Sequence, residues 1–237
     1  MLMSHVMQWI YENFLYLLLL VATLYGCYWL SGHKETLRMK GWMAVVLAVV
    51  HTVIGVLCVK LFAFLESGDG GNMSLFGAVF FMPVFYFAGA KLAKRKVADV
   101  FDIFAVTMIF TLLCARLNCL FSGCCLGKPI PGTEHTWPTR QAELVYYAVL
   151  LIFLWRKVGK PGFSGKVYPI YMMSYGIFRF IVEWFRETTN PVAFFHISHI
   201  WALVSTVVGA GIYIWLRKHP INQTGKKSGR KNKEEKK

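Results

Sequence analysis

Apolar residues occur along the chain in seven long runs that short polar segments separate. Each run reaches or approaches the roughly 20 helical residues that cross a hydrocarbon core about 30 Å thick, and the fifth run is the shortest. The pattern predicts helices over residues 13–32, 41–65, 74–92, 97–118, 143–157, 167–186 and 198–216. We therefore expect an all-α, polytopic membrane protein with seven transmembrane helices. The first run lacks the basic flank and small-residue cleavage site of a signal peptide, so we expect it to be retained.

Composition and charge narrow the class of protein further. Of the 237 residues, 56% are apolar and only 16% are charged, against about 25% charged in an ordinary soluble domain. These fractions argue against a soluble globular protein and against a disordered one. The net charge of +14 would be typical of a nucleic-acid binder, but the charge lies in a C-terminal tail and between apolar runs. We expect no nucleic-acid partner.

The distribution of Lys and Arg predicts the orientation of the chain. Twenty of the 26 basic residues follow the first, third and fifth apolar runs or lie in the tail. Because basic residues favour the cytoplasmic side, we expect an outer N-terminus and a cytoplasmic C-terminus. Residues 1–216 then form one transmembrane domain. Residues 217–237 form a basic, disordered cytoplasmic tail that attracts anionic membrane lipids.

The other six basic residues belong to the outer half of the membrane or to the outer loops. Arg179 is the deepest, at ~10 Å inside the end of its predicted helix. A charge at that depth costs several kcal/mol unless it is paired or faces a wet cavity, so it indicates a functional site. The alternative is a structural pair between helices. The six residues are Lys60, Arg116, Lys128, Arg140, Arg179 and Arg186.

One predicted helix carries several polar side chains on a single face. Tyr175, Arg179, Glu183 and Arg186 are spaced i, i+4, i+8 and i+11, which places them on one side of a helix. Arg179 and Glu183 are close enough to pair. A purely structural ion pair would explain Glu183 and one arginine but would leave the second arginine without a partner on this helix.

A glycine-rich segment follows the fourth apolar run. Gly123 and Gly127 permit close backbone approach, and Arg116 and Lys128 flank them. Exposed amides beside two cations make an anion site, and at this depth the natural anion is a phospholipid headgroup phosphate. Glu143, near the start of the fifth run, has two possible roles. It is either a favourable charge at a helix N-terminus or a base or orienting partner for an arginine.

Six cysteines allow several interpretations. Cys119, Cys124 and Cys125 cluster outside the apolar runs, and the other three lie within them as core residues. The spacing of the clustered residues matches no zinc pattern. Packing or a disulfide in an oxidising exterior is favoured. The sequence therefore predicts no metal and no cofactor.

Taken together, these segments resemble the prolipoprotein diacylglyceryl transferases, bacterial enzymes that attach diacylglycerol to lipoprotein precursors. The segment from Asp102 through Arg116 to Pro129, including Ser122, is similar to the signature G-R-I-G-N-F-I-N-G-E-x-x-G-R in its cysteine-containing form. The stretch from Pro138 to Glu143 resembles H-P-S-Q-L-Y-E, and the face from Tyr175 to Arg186 resembles Y-G-x-x-R-x-x-x-E-x-x-R. The turn from Gly71 to Ala78 resembles G-G-M-S-F-H-G-G.

The sequence also departs from the family pattern at four positions. The family's histidine in the Gly-Gly-Met-Ser turn, often proposed as the base for the incoming thiol, corresponds to Phe76. Cys119 stands for the signature asparagine and Cys124 for its glutamate, and Trp137 stands for the histidine of H-P-S-Q. The two arginine positions are retained.

The resemblance implies an activity and a set of roles. The activity is transfer of diacylglyceryl from phosphatidylglycerol to the lipobox cysteine of a prolipoprotein, in the bacterial cytoplasmic (inner) membrane. Arg116 and Arg179 would hold the donor phosphate, Glu143 and Glu183 would orient them, and Tyr175 would hydrogen-bond the headgroup. Substrate contacts would also come from Ser122, Gly123, Gly127 and Arg186. The alternative is a silent paralogue that binds or transports an anionic phospholipid, which the missing histidine, asparagine and glutamate favour.

Overall fold

Seven helices make up most of the described chain. The computed structural model describes residues 2–32, 38–68, 73–160, 162–187, 191–192 and 195–219. The helices are α1 (Leu2–Ser31), α2 (Gly41–Ser67), α3 (Phe76–Leu92), α4 (Val97–Ser122), α5 (Thr139–Lys157), α6 (Val167–Glu183) and α7 (Ile197–Lys218). Two strands of two residues each, β1 (Pro191–Val192) and β2 (Phe195–His196), pair antiparallel between α6 and α7.

The prediction of an all-helical membrane protein is confirmed. Within the described residues, four helices are long and apolar enough to cross a membrane: Asn13–Ser31, Gly41–Ser67, Val97–Ser122 and Ile197–Lys218. Phe76–Leu92 is a shorter apolar helix of 17 residues. Every predicted apolar run coincides with one helix. The number of spans and the side on which each terminus lies stay predictions.

Helix α4 occupies the centre of the bundle. In its most apolar window 61% of the residues are buried, against 22% in the corresponding windows of α1, α2 and α7. It packs against α1, α3, α5 and α6, while α6 packs most extensively against α7. A charged side chain on the inner faces of α4, α5 or α6 is therefore removed from both lipid and water.

Two carboxylates near the start of α4 fix the start of α6. Asp102 is 2% exposed and accepts hydrogen bonds from the backbone amides of Gly165 (2.6 Å), Val167 (3.0 Å) and Tyr168 (3.2 Å). Asp99 accepts one from the Ser164 hydroxyl (2.9 Å). The first amides of a helix have no partner within it and favour a negative charge, so Asp102 acts as a cap supplied by another helix.

A close approach between α6 and α7 fixes the other side of α6. A Cβ atom at Gly176 would overlap the Thr206 hydroxyl and the Ala202 carbonyl. One turn earlier, the Ser205 hydroxyl donates to the Met172 carbonyl (3.0 Å). Only glycine permits this separation of the two helices, and the contact sets the direction in which the polar face of α6 points.

Several helix ends differ from the sequence prediction, most of all the start of α1, which lies at Leu2 rather than 13. Helix α4 continues to Ser122 rather than 118, and α5 begins at Thr139 rather than 143. Helix α6 ends at Glu183, so the prediction that Arg186 lies on the same helical face was wrong. Beyond Glu183 the backbone pairs with the glycine-rich segment instead. The Lys128 amide donates to the Phe185 carbonyl (2.8 Å), and the Glu187 amide donates to the Leu126 carbonyl (3.3 Å).

Two other predictions fall outside the described residues. Most of the predicted disordered tail, residues 220–237, lies there, and α7 includes the first two residues of that tail, Arg217 and Lys218. Residues 69–72, which carry the glycines of the Gly-Gly-Met-Ser turn, also lie outside.

Candidate functional site

A buried carboxylate on α5 binds three arginines that come from three different segments. Glu143 Oε2 lies 2.5 Å from Arg116 Nε, and its Oε1 lies 3.0 Å from Arg179 Nη1 and 3.5 Å from Arg186 Nη1. The Glu143 side chain is 2% exposed, and those of the three arginines are 6%, 10% and 14% exposed. The structure therefore brings Arg116, Arg179 and Arg186 together around Glu143.

The charges of this arginine cluster do not balance. Arg179 also pairs with Glu183 on its own helix, with Nη2 and Oε2 at 2.7 Å. The arginine cluster consists of Arg116, Arg179, Arg186, Glu143 and Glu183. Its three guanidinium groups and two carboxylates leave a net charge of +1. A third carboxylate, Glu66 on α2, interacts electrostatically with Arg179 and Glu183 but forms no ion pair among the described residues, so the value of +1 counts only the groups in direct ion pairs. An excess positive charge at a buried site is costly unless an anion accompanies it.

The backbone explains how the chain positions these side chains. Arg116 lies on the last third of α4, and Arg179 and Glu183 lie one turn apart at the end of α6. Gly127 and Arg186 form an isolated antiparallel bridge, which holds Arg186 over the end of the bundle. Arg186 lies beyond the end of α6, and its backbone pairing with the glycine-rich segment places it in the arginine cluster.

The glycine-rich segment itself has mainly structural explanations. Gly123 ends α4 with φ +72°, a conformation that favours glycine. A Cβ at Gly127 would overlap the Trp137 carbonyl. The Ser122 hydroxyl donates to Cys124 Sγ at 3.2 Å, and Ser122 and Gly123 are exposed. The predicted contact of these three residues with an anion stays a prediction.

Four buried tyrosines, Tyr86, Tyr147, Tyr171 and Tyr175, have hydroxyls without a hydrogen-bond partner among the described residues. Tyr175 is fully buried, as are Tyr147 and Tyr171 to within 1%. Tyr147 was not predicted as a site residue. Its position one turn after Glu143 was the available signal. Buried hydroxyls normally find partners, so each of these phenols lacks a hydrogen bond that a polar group beside it would supply.

Phe76 occupies the place where the family pattern has histidine. Its side chain is 2% exposed, and its ring meets the Tyr175 ring edge-on with centroids 5.6 Å apart. This side chain supplies packing against the predicted headgroup residue and cannot accept a proton.

A second group of polar side chains lies directly beside the arginine cluster. Arg116 Nη1 lies 3.8 Å from Cys119 Sγ, and the Sγ atoms of Cys119, Cys124 and Cys125 all lie within 4.8 Å of one another. A hydrogen bond from the Cys119 thiol and the positive charges of Arg116 and Arg186 lower the pKa of Cys125. The thiols are free.

An apolar cavity lies elsewhere in the bundle. It has a volume of about 460 Å³ and is lined by parts of α3, α4, α6 and α7, including Phe101, Pro169 and Trp215. Its residues on α4 lie at the start of that helix. The nearest of them, Phe101, is 15 residues before Arg116, or ~23 Å along the axis. The cavity and the arginine cluster are separate features.

Comparison with known proteins agrees with the motifs. The family model of the prolipoprotein diacylglyceryl transferases matches residues 14–215. The chain belongs to this family. The match includes all seven helices, at least in part, and every residue of the arginine cluster, so the prediction from sequence motifs is confirmed.

Curated relatives in this transferase family share modest identity with the chain. The phosphatidylglycerol--prolipoprotein diacylglyceryl transferase of Clostridium tetani is 23% identical over 159 residues, which cover 61% of this chain and 64% of the relative. That of Pseudoalteromonas translucida is 26% identical over 174 residues, covering 67% and 65%. That of an Enterobacter species is 25% identical over 245 aligned positions, covering 84% and 83%. The chain thus spans slightly less than two thirds of the first two relatives.

Proposed function

We propose that the chain transfers diacylglyceryl from phosphatidylglycerol to the lipobox cysteine of a prolipoprotein. The observation that carries this proposal is the buried arginine cluster with a net charge of +1. Family membership and the names of the relatives support the choice of donor and acceptor. A phosphatidylglycerol headgroup carries one negative charge and would neutralise the cluster.

The charge change during the reaction suits the same cluster. The acceptor thiolate attacks the glyceryl C3 carbon of the donor, a carbon–sulfur bond forms, and the bond from that carbon to the phosphate oxygen breaks. Glycerol phosphate leaves with a greater negative charge than the diester had. Groups that bind the more charged leaving group more tightly than the substrate accelerate the reaction.

The roles we assign follow the contacts of each side chain. Arg116 and Arg179 hold the phosphate, because both pair with the one Glu143 carboxylate, which brings their guanidinium groups close together. Glu143 and Glu183 orient these arginines, and Arg186 adds charge from the segment after α6. Tyr175 has a free buried hydroxyl for the headgroup. Ser122, Gly123 and Gly127 contribute backbone and hydroxyl contacts at the outer edge.

We propose the predicted topology as part of the same account. All seven helices cross the bacterial cytoplasmic membrane, with the N-terminus outside and the C-terminus inside. Residues 1–216 form the catalytic domain, and 217–237 form a basic tail that lies against the membrane lipids. The arginine cluster then lies in the outer leaflet, where a prolipoprotein signal peptide presents its cysteine.

A second candidate function is binding of the anionic lipid without transfer. The observation that favours it is Phe76, a buried ring where the family pattern places a histidine. A thiol has an ordinary pKa of about 8.5, and nearby arginines need to lower that pKa only slightly to form the thiolate. Transfer therefore does not require a histidine base at position 76.

Reconstituted protein separates the two functions. The full chain is placed in vesicles that contain phosphatidylglycerol labelled in the headgroup glycerol, and a synthetic lipobox peptide is added. Transfer releases labelled glycerol phosphate and adds a diacylglyceryl mass to the peptide. Lipid that co-purifies without release supports binding alone. Transfer is also excluded if prolipoproteins stay unmodified in a transferase-depleted strain that expresses this chain well.

Charge-conserving variants test the roles of the two arginines. Lysine cannot form the bidentate contact of a guanidinium, so Arg116→Lys and Arg179→Lys should each lower the transfer rate by about 10²–10³-fold. Lys60→Gln, which removes an exposed charge on α2, is the matched control and should leave the rate unchanged. Full activity of both arginine variants would refute their assignment.

A further inference from the structure

Three cysteine thiols meet where α4 ends and the following segment begins. Cys119 lies in the last turn of α4, and Cys124 and Cys125 follow the glycine that caps it. Their Sγ atoms all lie within 4.8 Å of one another. The spacing in the sequence matched no zinc pattern, but the chain reverses at Gly123 and folds the later two residues back onto the helix. Proximity in space therefore arises from the helix end and not from a sequence motif.

We propose that Cys119, Cys124 and Cys125 bind one thiophilic metal ion, Zn²⁺ or Cu⁺. Thiolates are the ligands that these ions prefer. A zinc–sulfur bond measures about 2.3 Å, so three sulfurs around one ion are about 4 Å apart. The observed separations need only sub-ångström adjustment to reach that arrangement. The proposal concerns the thiols alone and does not depend on the proposed transfer.

The surroundings match the charge of such a site. Three thiolates around Zn²⁺ carry a net charge of −1, and around Cu⁺ a net charge of −2. Arg116 Nη1 lies 3.8 Å from Cys119 Sγ, and the charge of Arg186 also acts on Cys125. Groups just outside the ligands commonly compensate and orient them in this way.

Backbone conformation and access also fit a binding site. Cys125 has φ +58°, which is uncommon for a residue other than glycine and persists where surrounding contacts enforce it. Cys124 is exposed and the other two cysteines are half-buried, so an ion can reach the thiols from solvent. Three donors that converge at a solvent-accessible point meet the requirements of ligand count, spacing and entry path.

Metal binding by the intact protein tests the proposal. The full chain is purified in detergent, reduced, stripped of metal and titrated with Zn²⁺ or, without oxygen, with Cu⁺ against a chelator of known affinity. The variants are Cys119→Ser, Cys124→Ser and Cys125→Ser. Cys58→Ser, which removes a half-buried thiol on α2, is the matched control. Thermal unfolding in the same detergent checks that each variant is folded.

We expect one ion per chain and an affinity that falls at least about tenfold in each of the three variants, with no change in Cys58→Ser. X-ray absorption of the bound ion should show sulfur at about 2.3 Å. The ion that the protein binds more tightly in these titrations is the metal assigned to the site. Retention of the ion by a variant that lacks all three thiols would overturn the proposal. So would alkylation of protein isolated without reductant that finds two of the three thiols already joined in a disulfide.

Discussion

Removal of the Glu143 carboxylate should destabilise the protein strongly, because three arginines depend on it. The change Glu143→Gln keeps the size of the side chain and removes one charge, so the net charge of the cluster rises from +1 to +2. At separations of 2.5 to 3.5 Å, each lost pair had an attraction of about 5 kcal/mol at an effective dielectric constant of 20, before the cost of burial. Burial offsets much of this attraction. Breaking a buried pair by removing one partner costs about 3–5 kcal/mol.

The free energy of unfolding should therefore fall by about 3–5 kcal/mol in Glu143→Gln. It is measured by titration with a denaturing detergent in mixed micelles, followed by circular dichroism. Glu134→Gln is the matched control. Glu134 is exposed and has no ion pair among the described residues, so its change should stay within about 0.5 kcal/mol.

A double variant shows whether the cost arises from uncompensated charge. Arg116→Gln removes one of the guanidinium groups that Glu143→Gln leaves unpaired. The two changes together should cost less than the sum of the single changes, by about 0.5–3 kcal/mol. A cost below about 1 kcal/mol for Glu143→Gln, or simple additivity with Arg116→Gln, would refute the conclusion that Glu143 is the centre of the cluster.

Three further predictions concern the framework and the tail. Asp102→Asn should lower the free energy of unfolding by about 1–3 kcal/mol in the same titration, because an amide nitrogen cannot accept hydrogen bonds from the backbone amides that start α6. An unchanged unfolding midpoint would contradict the role of Asp102 as a cap. Gly176→Ala should cost about 1–3 kcal/mol through overlap with α7, whereas Gly211→Ala, where a Cβ meets nothing within 4 Å, should cost nothing. Deletion of residues 222–237 should leave the transfer rate intact, and a large loss at equal membrane abundance would show that the tail takes part.

The sequence was sufficient to predict the helices because each apolar run alone approaches the thickness of a bilayer. Helix ends were less predictable. Helix α4 continues through Cys-Leu-Phe-Ser to Ser122, and α5 begins with the mostly polar Thr-Arg-Gln-Ala from Thr139, outside the runs that indicated these helices. Helix α6 stops at Glu183 because its next residues pair with a segment nearly 60 residues earlier. Periodicity within one helix contains no information about such a partner.

The candidate site, too, was only partly predictable from the sequence. Burial of Arg116 and Arg179 was predictable from their depth in apolar runs, and Glu143 was recognised as a possible partner for an arginine. That one carboxylate serves three arginines depends on how α4, α5 and the segment after α6 converge. The sequence showed three neighbouring cysteines but not that their sulfur atoms converge, because that convergence depends on the reversal of the chain at Gly123.

The most direct test of the account is a structure of the full chain in lipid nanodiscs that contain phosphatidylglycerol. The account predicts one lipid phosphate with oxygens about 3 Å from the guanidinium groups of both Arg116 and Arg179. Lipid phosphates bound elsewhere, with both arginines engaged only by Glu143 and Glu183 in a protein saturated with phosphatidylglycerol, would contradict it.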